Sequence, residues 1–196
     1  MIAFVRGHFA VKTPARVVVD VNGVGYDLQI SLHTYSAISQ KDSGLLFTYL
    51  HITENAHTLF GFADTTEKDL FLLLISVSGV GATTARMMLS GMKPDEIIQA
   101  IAQGNTAQLE KIKGIGKKSA ERLVVELRDK VGKQMGDKTL SVTGTAAPIP
   151  GQDAIQALIA LGIARNAAEA AVQKTLKMMD GDVSLELIIK QALKNI

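Results

Sequence analysis

The chain contains no cysteine, and this absence excludes several chemistries at once. Without thiols there can be no disulfide bond, iron–sulfur cluster, thiolate zinc site or cysteine nucleophile. Tryptophan is absent too, and with only three Tyr and six Phe the chain has few aromatic side chains for a pocket that would stack a flipped base.

Long hydrophobic runs are also missing. The longest, residues 70–78, is far below the roughly 18 apolar residues that indicate a membrane span, so we expect no membrane contact. Residues 1–7 lack the basic start, apolar stretch and cleavage site of a secretory signal. Together with the lack of cysteine, this predicts a cytoplasmic protein.

An excess of charge of one sign is lacking as well, because 21 Lys and Arg oppose 19 Asp and Glu. A net charge of +2 gives no field over the whole protein, so any attraction to a polyanion must be local. The only histidines, His8, His33, His51 and His57, show no ligand spacing with one another or with a carboxylate. We therefore expect no metal and no cofactor.

The first third of the chain, residues 1–63, has the pattern of a small β-barrel. Short runs of β-branched and aromatic residues alternate with Gly, Asn and Asp. Asn22 and Gly23 tolerate the positive φ of a type I′ turn and predict a hairpin. Five short strands in this length predict a five-stranded OB-fold barrel. The candidate strands are residues 2–10, 16–21, 25–31, 45–53 and 57–62.

The rest of the chain has helical periodicity, which makes the fold class multidomain α+β. Asp64 is the predicted cap of the first of about five short helices within residues 64–138. The composition of residues 139–150 predicts a flexible linker, and the pattern of residues 151–196 predicts a three-helix, UBA-like domain. Its predicted helices are residues 152–161, stopped by Gly162, 166–179 with a capping box at Asn166, and 184–193 with Ser184 as N-cap.

An internal repeat is the strongest feature of the sequence. Residues 74–89, LISVSGVGATTARMML, align with residues 109–124, LEKIKGIGKKSAERLV, at an offset of 35. Each copy predicts a helix, a tight hairpin with Gly-hydrophobic-Gly, and a second helix. The glycines allow another backbone to approach, and the amides at the start of the second helix form an anion site.

The repeat resembles the tandem helix-hairpin-helix motif, which binds a DNA backbone without reading bases. Residues 111–133 carry eight Lys or Arg against three Asp or Glu, which is the local basic patch that the net charge conceals. The first copy has hydroxyls in place of cations. The predicted contacts to the DNA backbone are Gly79, Val80, Gly81, Thr83 and Thr84 in the first copy, and Gly114, Ile115, Gly116, Lys117, Lys118, Ser119 and Arg122 in the second.

The repeat also permits other interpretations. The hairpins could merely join packed helices, with the lysines as a solvated face. A P-loop is excluded because Gly-Ile-Gly-Lys-Lys-Ser has the wrong spacing and follows a helix. A base-excision glycosylase would use Lys118 with Asp129 or Asp137, but the aromatic pocket that it needs is missing. A general scaffold for nucleic acid, including folded RNA, stays open.

The order of parts resembles the RuvA family along the entire chain. The stretches that carry the resemblance are residues 2–7, 22–26, 59–62, 89–92, 114–118 and 120–123. The resemblance implies a homotetramer, possibly an octamer, that holds a four-way Holliday junction open. It also implies a cytoplasmic, non-catalytic subunit of a helicase complex in DNA recombination, repair and the SOS response to DNA damage. The implied partners are the RuvB hexameric ATPase and the RuvC junction resolvase.

Two further sets of residues follow from the resemblance. The family has two adjacent acids, an acidic pin, between its last two barrel strands. Here Glu54 matches and Asn55 does not, so we expect weaker repulsion of phosphates at the junction centre. The C-terminal helices around Leu158, Leu161, Ile188 and Ile189 are expected to contact the ATPase.

Overall fold

The computed structural model describes residues 1–139, 150–178 and 184–195. Most of the predicted linker, residues 140–149, lies outside these ranges. The chain divides into two compact units, Met1–Lys138 and Thr139–Ile196. No helix in the described ranges has both the length and the apolar character needed to cross a membrane.

A closed barrel forms the first part of the larger unit and confirms the predicted OB-fold class. The strands are β1 (Phe4–Thr13), β2 (Arg16–Val21), β3 (Val24–Ile30), β4 (Ser43–Ile52) and β5 (His57–Phe62). Their order around the barrel is β1-β2-β3-β5-β4. The pairings are antiparallel except for β3 with β5, which is parallel and places Leu28 opposite Leu59. Alternate residues such as Val17, Val19 and Leu28 point inward and form the core.

The predicted hairpin at Asn22 and Gly23 is present between β2 and β3. Both residues have positive φ, 51° and 87°, as a type I′ turn requires. The Gly23 amide donates a hydrogen bond of 2.7 Å to the Asp20 carboxylate, which fixes the turn. This local sequence signal therefore sets the β2–β3 register.

A short helix between β3 and β4 was missed by the sequence analysis. It is α1 (Leu32–Ile38), and Ser31 caps it by accepting a hydrogen bond from the Thr34 amide. Seven residues with mixed polarity give too little periodicity to predict a helix.

Five helices complete the larger unit: α2 (Thr65–Ile75), α3 (Ala82–Gly91), α4 (Pro94–Gln103), α5 (Thr106–Glu110) and α6 (Lys117–Thr139). Their number matches the prediction, but α6 is not short, since it spans 23 residues. Asp64 caps α2 as expected and accepts a 2.8 Å hydrogen bond from the Glu67 amide.

Aromatic packing fixes α2 against the outer face of the barrel. The ring of Phe71 on α2 is fully buried and lies 4.9 Å from Phe62, 5.1 Å from Phe60 and 5.7 Å from Tyr49, measured between ring centroids. These separations are typical of favourable aromatic pairs. The aromatic residues of β4 and β5 therefore belong to the same hydrophobic cluster as the helices, while the interior of the barrel forms a second cluster.

The smaller unit contains α7 (Pro150–Ala160), α8 (Arg165–Met178) and α9 (Leu185–Lys194). Gly162 has φ of +91° and follows α7, as predicted. The capping box at Asn166 is wrong, because α8 begins at Arg165 and its first amide bond runs from Ala168 to the Ala164 carbonyl. An Arg165–Glu169 ion pair of 3.8 Å lies along this first turn. Ser184 is the N-cap of α9, although its side chain makes no capping bond.

Candidate nucleic-acid interface

The two sequence repeats fold into hairpins with the same backbone hydrogen bonds. In the first, the Val80 amide donates to the Val77 carbonyl over 3.0 Å, and the Ala85 amide to the Gly81 carbonyl over 2.9 Å. In the second, Ile115 donates to Ile112 over 3.0 Å and Ala120 to Gly116 over 2.9 Å. Each bond recurs at the offset of 35 found in the sequence, so the repeat is structural as well as sequential.

Buried apolar side chains fix both hairpins in the core. The central residues Val80 and Ile115 are 4% and 5% exposed, so neither can contact a ligand through its side chain. Ala85 and Ala120 are fully buried where the helices pack closely. The other equivalent pairs in the core are Leu74 with Leu109, Val77 with Ile112, and Met88 with Leu123.

The hairpin glycines leave the backbone open. Gly79 and Gly114 have φ of +89° and +94°, a conformation that favours glycine. A Cβ atom built at Gly79, Gly81 or Gly116 would meet no protein atom within 4 Å. No packing requirement therefore explains Gly81 or Gly116, whereas close approach of another backbone would.

The second helix of each hairpin begins at the open glycines. Gly81 is the N-cap of α3 and no side chain caps it, so the first amides of α3 precede the first intrahelical bond. Such amides, with the positive end of the helix dipole, form an anion site. Thr83 is exposed and Thr84 half-buried beside the first site; Lys117 and Lys118 are exposed and Ser119 half-buried beside the second.

Arg122 lies one turn further along α6, but its side chain is already engaged by the protein. Its Nη1 donates a 3.0 Å hydrogen bond to the carbonyl of Ser78 in the first hairpin. Its Nε lies 3.9 Å from the Glu126 carboxylate. The guanidinium therefore bridges the two hairpins.

Glu54 and Asn55 form the tip of the β4–β5 hairpin, and both are exposed. The turn closes because the Thr53 amide donates to the Ala56 carbonyl over 2.9 Å, and the Thr53 hydroxyl bonds to the same carbonyl over 3.0 Å. These bonds hold the two tip side chains on a short, well-defined turn.

A buried carboxylate beside the first helix was missed by sequence reasoning. Glu67 on α2 is fully buried and accepts hydrogen bonds from the hydroxyls of Ser31 and Thr34, and from the Ala63 amide over 3.3 Å. Burial raises the pKa of Glu67, and these hydrogen bonds oppose that rise. The partners lie 33 and 36 residues away, so no local pattern could have revealed them.

His33 and Asp64 lie next to this carboxylate, with 3.7 Å between His33 Nε2 and Asp64 Oδ2. The three side chains could offer ligand atoms within 4.8 Å of one another. Both Glu67 oxygens already accept hydrogen bonds, which makes the group a joint between α1 and α2.

Two of the residues predicted to mark the contact with the ATPase lie in the core of the smaller unit. Leu158 is fully buried and Ile188 is 1% exposed, because both fill the core between the three helices. Ile189 packs against that core and is half-buried. Leu161 is 64% exposed and stays available for contact. The other exposed leucines among the described residues of this unit are Leu176, Leu185, Leu187 and Leu193.

Comparisons with protein-family models match three parts of the chain. Residues 1–61 match the family model described as RuvA N terminal domain. Residues 71–129 match SAM-like Helix-hairpin-helix tandem, and residues 150–196 match RuvA, C-terminal domain.

Full-length relatives carry the name Holliday junction branch migration complex subunit RuvA. The protein from Flavobacterium psychrophilum is 46% identical, and the alignment covers 100% of both chains. That from Christiangramia forsetii is 43% identical, again over 100% of both. That from Geobacter sulfurreducens is 42% identical over 99% of this chain and 98% of its own.

Proposed function

Because the chain belongs to the RuvA family, we propose that it binds four-way DNA junctions through its two hairpins and presents them to a motor ATPase for branch migration. In this role it is a non-catalytic, DNA-binding subunit, and the partner hydrolyses ATP. The processes served are homologous recombination and repair of DNA damage, including the SOS response, in the cytoplasm.

The single observation that carries the proposal is the pair of equivalent hairpins. Each presents open glycines and unbonded helix amides, which suit a phosphate but read no base. Two such sites on one chain suit the two backbones of one duplex arm. The binding free energy then comes mostly from phosphate contacts and falls with salt, while selectivity comes from the shape of the junction.

Four arms call for four copies of the chain, which is our reason to propose a homotetramer, with an octamer as two tetramers facing one junction. Each copy would contribute one β4–β5 turn to the centre. Glu54 there repels phosphates, and Asn55 adds polarity without charge, so strand separation relies on one acid for each subunit.

We assign the smaller unit to the motor, the RuvB hexamer. Its exposed leucines, Leu161 and Leu187 among them, lie outside the core of the three helices and offer apolar side chains for contact with a partner. Contact with the RuvC resolvase would follow from binding the same junction.

A gel-shift titration tests the proposal. The purified chain is titrated against an immobile four-way junction and a linear duplex of equal length, with magnesium present and folded RNA as competitor. We expect about a hundredfold preference for the junction, which corresponds to about 2.7 kcal/mol. Lys118→Glu should weaken binding to every branched DNA regardless of sequence, whereas Lys130→Glu, an exposed change further along α6, should weaken it much less. Equal binding to junction, duplex and RNA would refute junction selectivity.

A further inference from the structure

We propose that Arg122 is a positioning residue that fixes the spacing between the two hairpins, and that it does not itself bind a phosphate. This inference deepens the proposed function and rests on it, since the spacing matters only if both hairpins hold one duplex. The basis is the bond from Arg122 Nη1 to the Ser78 carbonyl, which joins α6 of the second copy to the turn of the first.

The repeat supplies a second cross-contact at the equivalent position. Subtracting the offset of 35 from Arg122 gives Met87 on α3. The Met87 methyl lies 3.0 Å from the position that a Cβ would take on Gly114, so Met87 contacts the turn of the second hairpin. The same position in each copy therefore reaches across to the turn of the other copy. Such reciprocity is expected of a pair of struts and is not required by phosphate binding.

The chemistry of the two struts differs in an informative way. Met87 fills space against Gly114 by van der Waals contact. The corresponding Cβ position on Gly79 has no such neighbour within 4 Å, and Arg122 instead bonds to the carbonyl of the preceding residue, Ser78. A guanidinium donates several hydrogen bonds in a fixed plane, which suits it to hold a carbonyl at a set distance.

The positive charge of Arg122 is also partly neutralised within the protein. Its Nε faces the Glu126 carboxylate at 3.9 Å, which reduces the local positive potential. Lys117 and Lys118 lie at the start of α6, where the open amides already form an anion site. The lysines are thus the cations that bind the phosphate, and the arginine fixes the spacing between the hairpins.

A fixed spacing matters because binding by the second hairpin becomes intramolecular once the first has bound. The effective concentration of the second site is high only when the two sites match the span of the ligand. Loss of the Arg122 contact should therefore lower the affinity for DNA that engages both hairpins, without removing any phosphate contact.

The salt dependence of binding distinguishes a strut from a phosphate contact. Each lost phosphate contact makes the negative slope of log K against log salt shallower by about 0.9. We expect Lys118→Gln to make the slope shallower by about this amount for each engaged subunit. Arg122→Gln should weaken duplex binding about tenfold or more with the slope unchanged. Lys174→Gln, an exposed change in the smaller unit and outside the basic patch, controls for net charge and should leave both quantities near the values of the unaltered protein.

Rescue by a neutral side chain sharpens the test. Arg122→Met places the residue of the first copy at the equivalent position of the second, where it can pack against Gly79. We expect this variant to recover most of the affinity that Arg122→Gln loses, which a phosphate contact would not permit.

The spacing itself can be measured because the chain has no native cysteine. Ser76→Cys with Lys111→Cys places spin labels at equivalent exposed positions of the two hairpins, and dilution with unlabelled chain isolates the distance within one subunit. We expect Arg122→Gln to broaden the distance distribution. If Arg122→Gln leaves the distance distribution unchanged and makes the salt slope shallower, as Lys118→Gln does, the proposal is overturned. If Lys118→Gln leaves DNA binding unaltered, the proposed function fails, and the distance measurement still decides the role of Arg122.

Discussion

At the scale of single residues, Glu67 is a buried acidic side chain of the larger unit that depends on hydrogen bonds from its neighbours. A carboxylate that is fully buried loses its hydration, and hydrogen bonds from Ser31, Thr34 and the Ala63 amide compensate for part of that loss. It joins α1 of the barrel to α2, the helix that leads into the first hairpin. The joint therefore links the stability of the fold to the protonation of one group.

The sign of that link follows from the raised pKa of Glu67. A group whose pKa is higher in the folded state binds its proton more tightly there, so its stabilising contribution is full below the ordinary value of 4.5. The contribution is lost as pH rises through the raised pKa. We expect Glu67→Gln to flatten the dependence of the free energy of unfolding on pH between acid and neutral conditions, as measured by urea denaturation.

Glu67→Ala serves as the comparison. It leaves the Ser31 and Thr34 hydroxyls without their acceptor and should cost about 1–3 kcal/mol. An unaltered pH profile in Glu67→Gln would mean that another group dominates the titration.

At the scale of elements, each hairpin acts as one unit whose apolar residues face inward and whose glycines face outward. Val80 and Ile115 hold the turns in the core. The outward glycines then allow a ligand to approach the backbone. Substitution can separate this role in binding from the role of the apolar residues in stability.

Gly116→Ala tests the outward role. The added Cβ meets no protein atom within 4 Å, so the thermal midpoint should hold, while DNA affinity falls about tenfold because the methyl group occupies the path of the phosphate. Gly25→Ala, where a Cβ would make ordinary contact with Val18 at 3.4 Å, is the matched control in the barrel. Full DNA affinity in Gly116→Ala, measured by fluorescence anisotropy, would count against close approach at this glycine.

The β4–β5 turn yields a separate prediction. Asn55→Asp restores a second acid at the exposed tip, and the bonds between Thr53 and Ala56 that close the turn are unaffected. We expect the rate of branch migration to change more than the junction affinity, because added charge acts on phosphates near the centre. A migration assay with the partner ATPase measures the rate, and an unchanged rate would mean that the pin has little influence here.

At the scale of the whole molecule, the chain divides into two compact units, which we expect to serve two tasks, junction binding and contact with the motor. Deleting residues 151–196 removes the helices of the smaller unit and leaves the hairpins in place. We expect junction binding in the gel shift to stay within about twofold and ATPase-driven migration to be lost. Leu161→Glu in the full chain is the milder variant, since its side chain lies outside the core. Loss of junction binding on deletion would contradict the separation.

Local signals in the sequence predicted most of the architecture. Asn22 and Gly23 specify their turn through positive φ, and Asp64 caps α2 through its own carboxylate. The offset of 35 between the repeats located both hairpins, because buried positions such as Leu74 and Leu109 recur with them. The turn and the cap are specified within a few residues, and the internal repeat recurs as a complete pattern, so all three can be recognised in the sequence.

Contacts between distant segments were beyond such reasoning. The partners of Glu67, and the bond from Arg122 to Ser78 across 44 residues, depend on how elements pack. Leu158 and Ile188 show the same limit, since an apolar stripe does not reveal which of its members the core takes. Asn166 failed for a different reason, because a helix start one residue earlier moves a capping residue into the first turn.

The parallel pairing of β3 with β5 has a consequence for assembly. It gives every strand of the barrel two hydrogen-bonded neighbours, so the barrel has no edge strand. A sheet without an edge offers no row of free amides and carbonyls to which another chain could add a strand. We therefore expect copies of this chain that meet at their barrels to contact one another mainly through side chains, so that substitution on the barrel surface can tune association without disturbing the sheet.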